Sequence, residues 1–345
     1  MKTSQHVLAL SCPPIPLVRI GLVGLGQRGM KTLERYAFIE GAEIRCLADI
    51  SADRLEMAAQ QLEQSGRPAA ELLHGSDAWR EVCRKDIDLV YICTPNQMHF
   101  EHICLCLSHH KHVICEKPMV SDEEQVKQLF AMARKNHCFL MEAEKTMFTP
   151  LNVKLKSMIV DGVIGNLRSI KASYCSITSG TLPDSHWVFD PAFGGASYDI
   201  GVYPVSFAHF FADANARVIQ AQPVYHPPYE CDFGMNADVL YENGIYGFLQ
   251  CNWLYSLPQK GSAILAGDLG YIEIPAFWKG NKAYLHKDGE VTEISVDMKS
   301  DFTGEITHAV ECIENVLLES PVLGEEMSRR IIRLVEYVQH QMRDR

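Results

Sequence analysis

The sequence predicts an α/β protein in two parts. A doubly wound parallel sheet comes first, followed by an α+β unit whose open, mixed sheet is largely antiparallel. Three observations carry this. The run Val18–Val23 passes directly into Gly24-Leu25-Gly26-Gln27-Arg28-Gly29 and then into helical periodicity. β-rich apolar runs then alternate with amphipathic runs as far as Glu142. Beyond Glu142 the period shortens to two and hairpin turns appear.

Length and composition agree. A chain of 345 residues exceeds one ordinary core. The expected division is an arm over residues 1–17, a nucleotide-binding unit over 18–142 and a second unit over 143–345. A net charge of −11 argues against nucleic acid, which needs a basic face. No apolar run reaches the ~18 residues of a membrane helix. The short piece Val7-Leu8-Ala9-Leu10 falls well below a signal segment. The twelve cysteines include no C-x-x-C pair, and Cys93, Cys115 and Cys251 sit inside apolar runs. Such thiols behave as small hydrophobes, which points to a reducing, cytoplasmic setting. Finger-like ligand spacing is absent, so no metal is expected.

Each element of the first part has a local reason. In the glycine-rich turn, the first glycine permits the tight turn and the second admits a pyrophosphate. The third lets helix and strand pack, and the helix N-terminus faces the phosphates. Gly24, Gly26, Gln27, Arg28 and Gly29 are therefore candidate cofactor residues. The strand Glu43–Ala48 ends at Asp49, about 20 residues beyond Gly29, the spacing of a ribose-binding acid. Such a carboxylate favours NAD, although Arg54 leaves NADP open. The competing reading of Asp49 is the N-cap of a helix starting near Ala52. A short helix over 78–84 precedes the buried strand Ile87–Cys93, which ends at Thr94-Pro95-Asn96. Thr94 and Asn96 join the cofactor candidates. So does His99, one turn into the next helix, although a core or surface position suits it equally. His109, His110 and His112 read as a solvated turn.

The strand His112–Cys115 ends in Glu116-Lys117-Pro118. A charged pair at the end of a buried strand is costly unless it faces a cleft or a partner. Ligands bind at the carboxyl ends of such strands. Ser121 with Glu124 reads as a capping box for a helix carrying Val126, Leu129, Phe130 and Ala133. Cys138–Met141 is the last strand of this part.

In the second part, Thr149 and Pro150 read as N-cap and N1 of a helix that stops at Asp161-Gly162. Ile170, Ala172 and Tyr174 alternate with polar residues. Asn243-Gly244 and Asp288-Gly289 mark hairpins. Helices over 305–318 and 326–341 close the chain. Earlier in this part, before both hairpins, lies Gly194-Gly195-Ala196-Ser197-Tyr198-Asp199-Ile200-Gly201-Val202-Tyr203. On a helix, Asp199 and Tyr203 share one face, and the preceding glycines suit close approach of a ligand. The alternative is a capping Asp with a core Tyr.

Together these motifs resemble the glucose–fructose oxidoreductase, inositol dehydrogenase and rhizopine catabolism protein (Gfo/Idh/MocA) family, over nearly the whole chain after Leu17. The carriers are the glycine-rich turn, Asp49, Thr94-Pro95-Asn96 with His99, Lys111-His112-Val113, Glu116-Lys117-Pro118, and Gly194-Gly195 through Tyr203. The Asp-x-x-x-Tyr form is similar to the dimeric dihydrodiol and xylose dehydrogenase branch. Ala196 departs from the usual third glycine, and His109-His110 from the usual Ala-Gly.

The resemblance implies NAD or NADP, a sugar or polyol substrate, and a homodimer or homotetramer formed through the second sheet. It implies Lys117, Asp199 and Tyr203 as the catalytic group, moving a hydride to or from a carbinol carbon. Lys117 would lower the phenol pKa of Tyr203, and Glu116 would fix Lys117 or the cofactor. Lys145 and Trp187 are expected substrate-wall residues. Two other readings remain: a glycoside hydrolase working by transient oxidation, and a non-catalytic dinucleotide-binding regulator.

Overall fold

A computed structural model describes residues 17–343 apart from 37 and 179. The expected arm lies outside the described residues except for Leu17, and so does Ala37 of the first helix.

The first sheet holds β1 (Val18–Val23), β2 (Ala42–Asp49), β3 (Glu71–His74), β4 (Leu89–Ile92), β5 (His112–Glu116) and β6 (Leu140–Ala143). All neighbours are parallel, in the order β3-β2-β1-β4-β5-β6. Five helices cross over between the strands: α1 (Gln27–Tyr36), α2 (Ala52–Gln64), α3 (Ala78–Val82), α4 (His99–Ser108) and α5 (Glu123–Lys135). Helices on both faces bury all of β4 and all of β5 but His112, so Leu89–Ile92 and Val113–Cys115 read as apolar runs. Each fully buried Leu, Ile or Val here contributes about 1.5–3 kcal/mol by leaving water. The strand order reverses between β1 and β4, the place where doubly wound sheets open a crevice.

Four local readings shift. β3 has no counterpart in the sequence reading because only one of its four side chains is buried. β6 lies two residues later than expected, so Glu142 is within the strand. Asp122, not Ser121, caps α5 and accepts the Gln125 N–H at 2.8 Å. Ser121 instead offers its carbonyl to the Tyr198 hydroxyl. Ser51 caps α2, so Asp49 is not its N-cap.

The second part starts with α6 (Pro150–Val160), capped by Thr149 as expected. Then come β7 (Leu167–Cys175), a π turn at Ser197–Gly201, and α7 (Val202–Ala212). β8 (Ala216–Pro223), β9 (Gly234–Tyr241), β10 (Tyr246–Asn252), β11 (Gly261–Gly267), β12 (Tyr271–Pro275), β13 (Lys282–Lys287) and β14 (Glu290–Ser295) complete an eight-stranded sheet. Its order is β14-β13-β12-β11-β7-β10-β9-β8, antiparallel except where β7 meets β10. Both expected hairpins form, between β9 and β10 and between β13 and β14, the second through Asp288 and Gly289 at positive φ. β8, β11 and β12 carry weaker signals and have no counterpart among the strands the sequence predicts.

α8 (Thr303–Glu314) and α9 (Glu325–Arg343) return to the first part. The Leu140 N–H donates to the Leu318 carbonyl. Glu123 at the start of α5 takes the guanidinium groups of Arg329 and Arg333 on α9 at 2.7 and 2.9 Å. These two arginines hold the Glu123 carboxyl down at about 2. The halves are therefore held by side chains of α5 and α9 as well as by chain. Among the described residues the cysteines are free thiols and no His/Cys/Asp/Glu group could hold a metal. None of the described helices is long and apolar enough to cross a membrane.

Candidate active site

The crevice between the ends of β1 and β4 opens into a cleft of about 550 Å³. Gly24 sits at φ +89°, and a Cβ there would lie 2.8 Å from the Cys93 backbone. A Cβ on Gly29 would lie 1.9 Å from the Gly24 carbonyl oxygen. A Cβ on Gly26 would meet nothing within 4 Å. The outer glycines thus serve the fold, and the middle one leaves open space over the cleft. That space at a helix N-terminus is what a pyrophosphate requires.

Asp49 ends β2 on the same wall. It accepts the Leu25 N–H at 2.6 Å and the Ser51 N–H at 2.8 Å, with Arg54 at 3.7 Å. Those bonds fix the carboxylate and leave lone pairs for a ribose hydroxyl. Gln27, Arg28, Thr94, Asn96, Glu116 and Lys117 line the cleft as well. The residues present therefore fit an extended dinucleotide.

His99 does not belong with them. It is fully buried, with Nδ1 2.9 Å from the Pro118 carbonyl oxygen and Nε2 2.8 Å from that of Thr94. It braces the two strand ends from behind, and burial lowers its pKa. His102, one turn on, lines the cleft instead, with Trp79 stacked on it at 4.0 Å. Neither residue belongs to a motif, so the sequence offered no signal for them.

Glu116 does not hold Lys117. Its carboxylate faces Arg28 Nε at 3.5 Å and accepts from Tyr91 at 3.4 Å. Tyr91 also reaches Glu305 of α8 at 3.3 Å. Glu305 is wholly buried beside Glu116, and both facts push its carboxyl far above the usual range. Nothing in the local sequence around Glu305 distinguishes it from a surface helix acid.

Lys117 reaches across to the second part. Its ammonium donates to the Asp199 carbonyl and lies 3.4 Å from Asp199 Oδ1. The same nitrogen stands 4.9 Å from the centre of the Tyr203 ring. Lys117, Asp199 and Tyr203 are thus brought together, with the first two on the cleft wall and Tyr203 only 6% exposed behind them. The expected electrostatics differ in one respect. The cation at the Tyr203 hydroxyl is Arg28, which donates to it at 3.3 Å, while Lys117 faces the ring. Burial outweighs that cation, and Glu116, Glu144 and Asp199 work against it, so the phenol lies above its ordinary value of 10.

Trp187 lines the cleft beside His186. Lys145 does not. It is buried in an ion pair with Asp301 and stands 4.2 Å over the Phe302 ring. Asp301 is 156 residues away, so no local pattern points to this pair. Tyr174 of β7 carries only a strand's alternation in the sequence, yet its ring sits 5.4 Å from that of Tyr203, backed by Trp278 at 4.2 Å.

Comparisons with known proteins agree with this architecture. Residues 18–144 match the oxidoreductase family model described as an NAD-binding Rossmann fold, and residues 152–273 match the GFO/IDH/MocA C-terminal domain. An α-N-acetylgalactosaminidase from Bacteroides fragilis is 37% identical over 177 residues, 50% of this chain and 42% of that protein. A glycosyl hydrolase family 109 protein from Porphyromonas gingivalis is 33% identical over 172 residues, 49% of this chain and 37% of its own length. The chain thus spans less than half the length of these curated relatives. Among solved structures, the 3-ketoreductase KijD10 from Actinomadura kijaniata, complexed with NADP and TDP-benzene, superposes with a TM-score of 0.81. It is 25% identical, with 94% of this chain and 97% of that one covered. An aldose–aldose oxidoreductase from Caulobacter crescentus shares the fold, with a TM-score of 0.83 at 20% identity and coverage of 95% and 98%. With both parts matched in sequence and the strand order observed, the chain belongs to the Gfo/Idh/MocA oxidoreductase family.

Proposed function

We propose that this protein transfers a hydride between a nicotinamide dinucleotide and a carbinol carbon of a sugar, polyol or related small molecule. The observation that carries the reading is the meeting of Lys117 and Asp199 on the cleft wall, with Tyr203 directly beneath. A bound nicotinamide ring supplies the hydride acceptor and donor. The chain's own groups handle the oxygen and its proton. Lys117 offers an ammonium to the reacting oxygen and stabilises negative charge there. Asp199 orients that ammonium and accepts from a neighbouring substrate hydroxyl.

Tyr203 is the proton carrier in this reading. Its raised pKa keeps the phenol protonated near neutral pH, so it begins as a donor to a carbonyl oxygen. In reduction the carbonyl carbon gains the hydride, the oxygen gains the Tyr203 proton, and the phenolate is left beside Arg28. Oxidation reverses each transfer and must begin from that phenolate.

A second reading is favoured by the name of the 37%-identical relative, a glycosidase. Transient oxidation of a sugar carbon, bond cleavage and re-reduction would use the same three groups with no net change in the cofactor. We place any self-association on the outward face of the second sheet, where Phe248 and Tyr271 are exposed. The deciding experiment assays sugars and polyols with NAD and NADP side by side, beside a nitrophenyl α-N-acetylgalactosaminide. Net reduced cofactor supports the dehydrogenase. Nitrophenol released without it supports the hydrolase. Inactivity on both, with dinucleotide still bound, returns the regulator.

A further inference from the structure

The segment that presents Asp199 and Tyr203 is not an ordinary helix start. Ser197–Gly201 is a π turn, which runs into α7 at Val202. Such a turn inserts a residue relative to an α-helix and is stable only where surroundings hold it. Its first residues are gripped by one buried carboxylate. Asp232, fully buried just before β9, accepts the Ser197 N–H on Oδ2 at 2.9 Å. Its Oδ1 accepts the Ser197 hydroxyl at 2.9 Å and the Gln339 amide at 2.6 Å. Gln339, on α9, also donates to Ser197 Oγ at 2.6 Å. The Asp232 carbonyl takes the Ala196 N–H at 2.9 Å.

This arrangement explains Gly195, which the sequence reading assigned to close approach of a ligand. Gly195 sits at φ +104°, and a Cβ there would lie 2.2 Å from Asp232 Oδ1. A Cβ on Gly194 would likewise lie 2.2 Å from the Val188 carbonyl oxygen. The two glycines admit the chain's own carboxylate and backbone. Ala196 in the third position is fully buried and needs no such freedom.

We infer that Asp232 is a positioning residue of the site. Through Ser197 it fixes the register of the π turn, and with it the direction in which Asp199 and Tyr203 face Lys117. Gln339 completes the clamp from α9, the helix whose arginines also grip α5. The inference rests on the reading that Lys117, Asp199 and Tyr203 carry the reaction. A misplacement of about 1 Å in such a group costs about 100-fold in turnover.

The chemistry suggests a graded test. Asp232→Ala removes both acceptors and leaves the Ser197 N–H and the Gln339 amide without that partner. In Asp232→Asn the amide oxygen still takes the Ser197 N–H, and Gln339 can turn its own amide so that its oxygen accepts from the Asn nitrogen, so the clamp persists. Two readouts are taken on wild type and both variants. One is hydrogen–deuterium exchange over residues 195–205, and the other is kcat with dinucleotide affinity measured by protein fluorescence. Asp232→Ala should speed exchange by about tenfold or more and lower kcat by about 100-fold, with dinucleotide affinity unchanged. Asp232→Asn should stay close to wild type in both. Unchanged exchange in Asp232→Ala overturns the clamp, whatever the enzyme's reaction proves to be. Faster exchange with undiminished kcat overturns the positioning role. If Asp232→Ala does not fold, Gln339→Leu takes its place, and unchanged exchange and turnover in that variant overturn the proposal. Absence of hydride transfer in wild type counts against the functional reading alone, and the exchange arm still decides the clamp.

Discussion

Replacing Glu142 by Gln isolates the electrostatic burden of a buried acid without changing its shape. Glu142 Oε1 accepts the Met119 N–H at 2.8 Å, two residues past Lys117, and a glutamine oxygen can do the same. Burial, with Glu144 nearby, pushes the Glu142 carboxyl up to about 7 from an ordinary 4.5. The folded chain therefore retains a proton that the unfolded chain has released between those two values. Stability must fall as pH rises through that window and level off above it. At 1.36 kcal/mol per pH unit, the whole effect is about 3 kcal/mol. Urea unfolding of wild type and Glu142→Gln at pH 4.5, 6 and 8 reads it directly. The variant's advantage over wild type should grow by about 3 kcal/mol between pH 4.5 and 8. Parallel profiles, or a gap that shrinks with pH, would refute the reasoning.

Three further outcomes are expected. Gly26→Ala should fold with an unchanged melting temperature and lose at least tenfold in dinucleotide affinity, because its Cβ meets only the open cleft, whereas Gly29→Ala should fold poorly, because its Cβ meets the Gly24 carbonyl; circular dichroism and fluorescence titration separate the two. The Glu123 clamp contributes stability above its ordinary pKa of 4.5 that is lost as pH falls towards about 2; Glu123→Gln should abolish that acid-side dependence in thermal melts. Because burial holds the Tyr203 phenol protonated, kcat for oxidation should climb with pH well beyond neutrality while carbonyl reduction does not, and Arg28→Met should move that rise to still higher pH.

The parts of the fold that were legible in the sequence are those with local causes. The glycine-rich turn, the buried runs of β4 and β5, the Thr149 cap and both hairpin turns declare themselves within a few residues. β3 was hidden because it is short and largely exposed, and β11 and β12 because they lack tight turn signals. At the site, Lys117 and Asp199 were legible through position: one ends a buried strand and the other follows a Gly-Gly pair. What was not legible came from long-range packing. His99 was assigned by its proximity to Thr94 in sequence, but two carbonyl oxygens draw its ring into the core. Lys145 is claimed by Asp301, and Arg28 rather than Lys117 reaches the Tyr203 hydroxyl. Asp232 and Glu305 act on the site from distant segments that carry no motif.

In the proposed reaction a hydride leaves or joins a carbinol carbon beside Lys117 and Tyr203. The most direct measurement incubates the protein with NAD or NADP and a sugar or polyol deuterated at the reacting carbon, then follows the label. One deuterium should appear in the recovered reduced cofactor for each substrate oxidised. Lys117→Met and Tyr203→Phe should each lose most turnover while still binding dinucleotide. Glycoside cleavage with no label accumulating in reduced cofactor, or near-full activity in either variant, would contradict the proposed reaction.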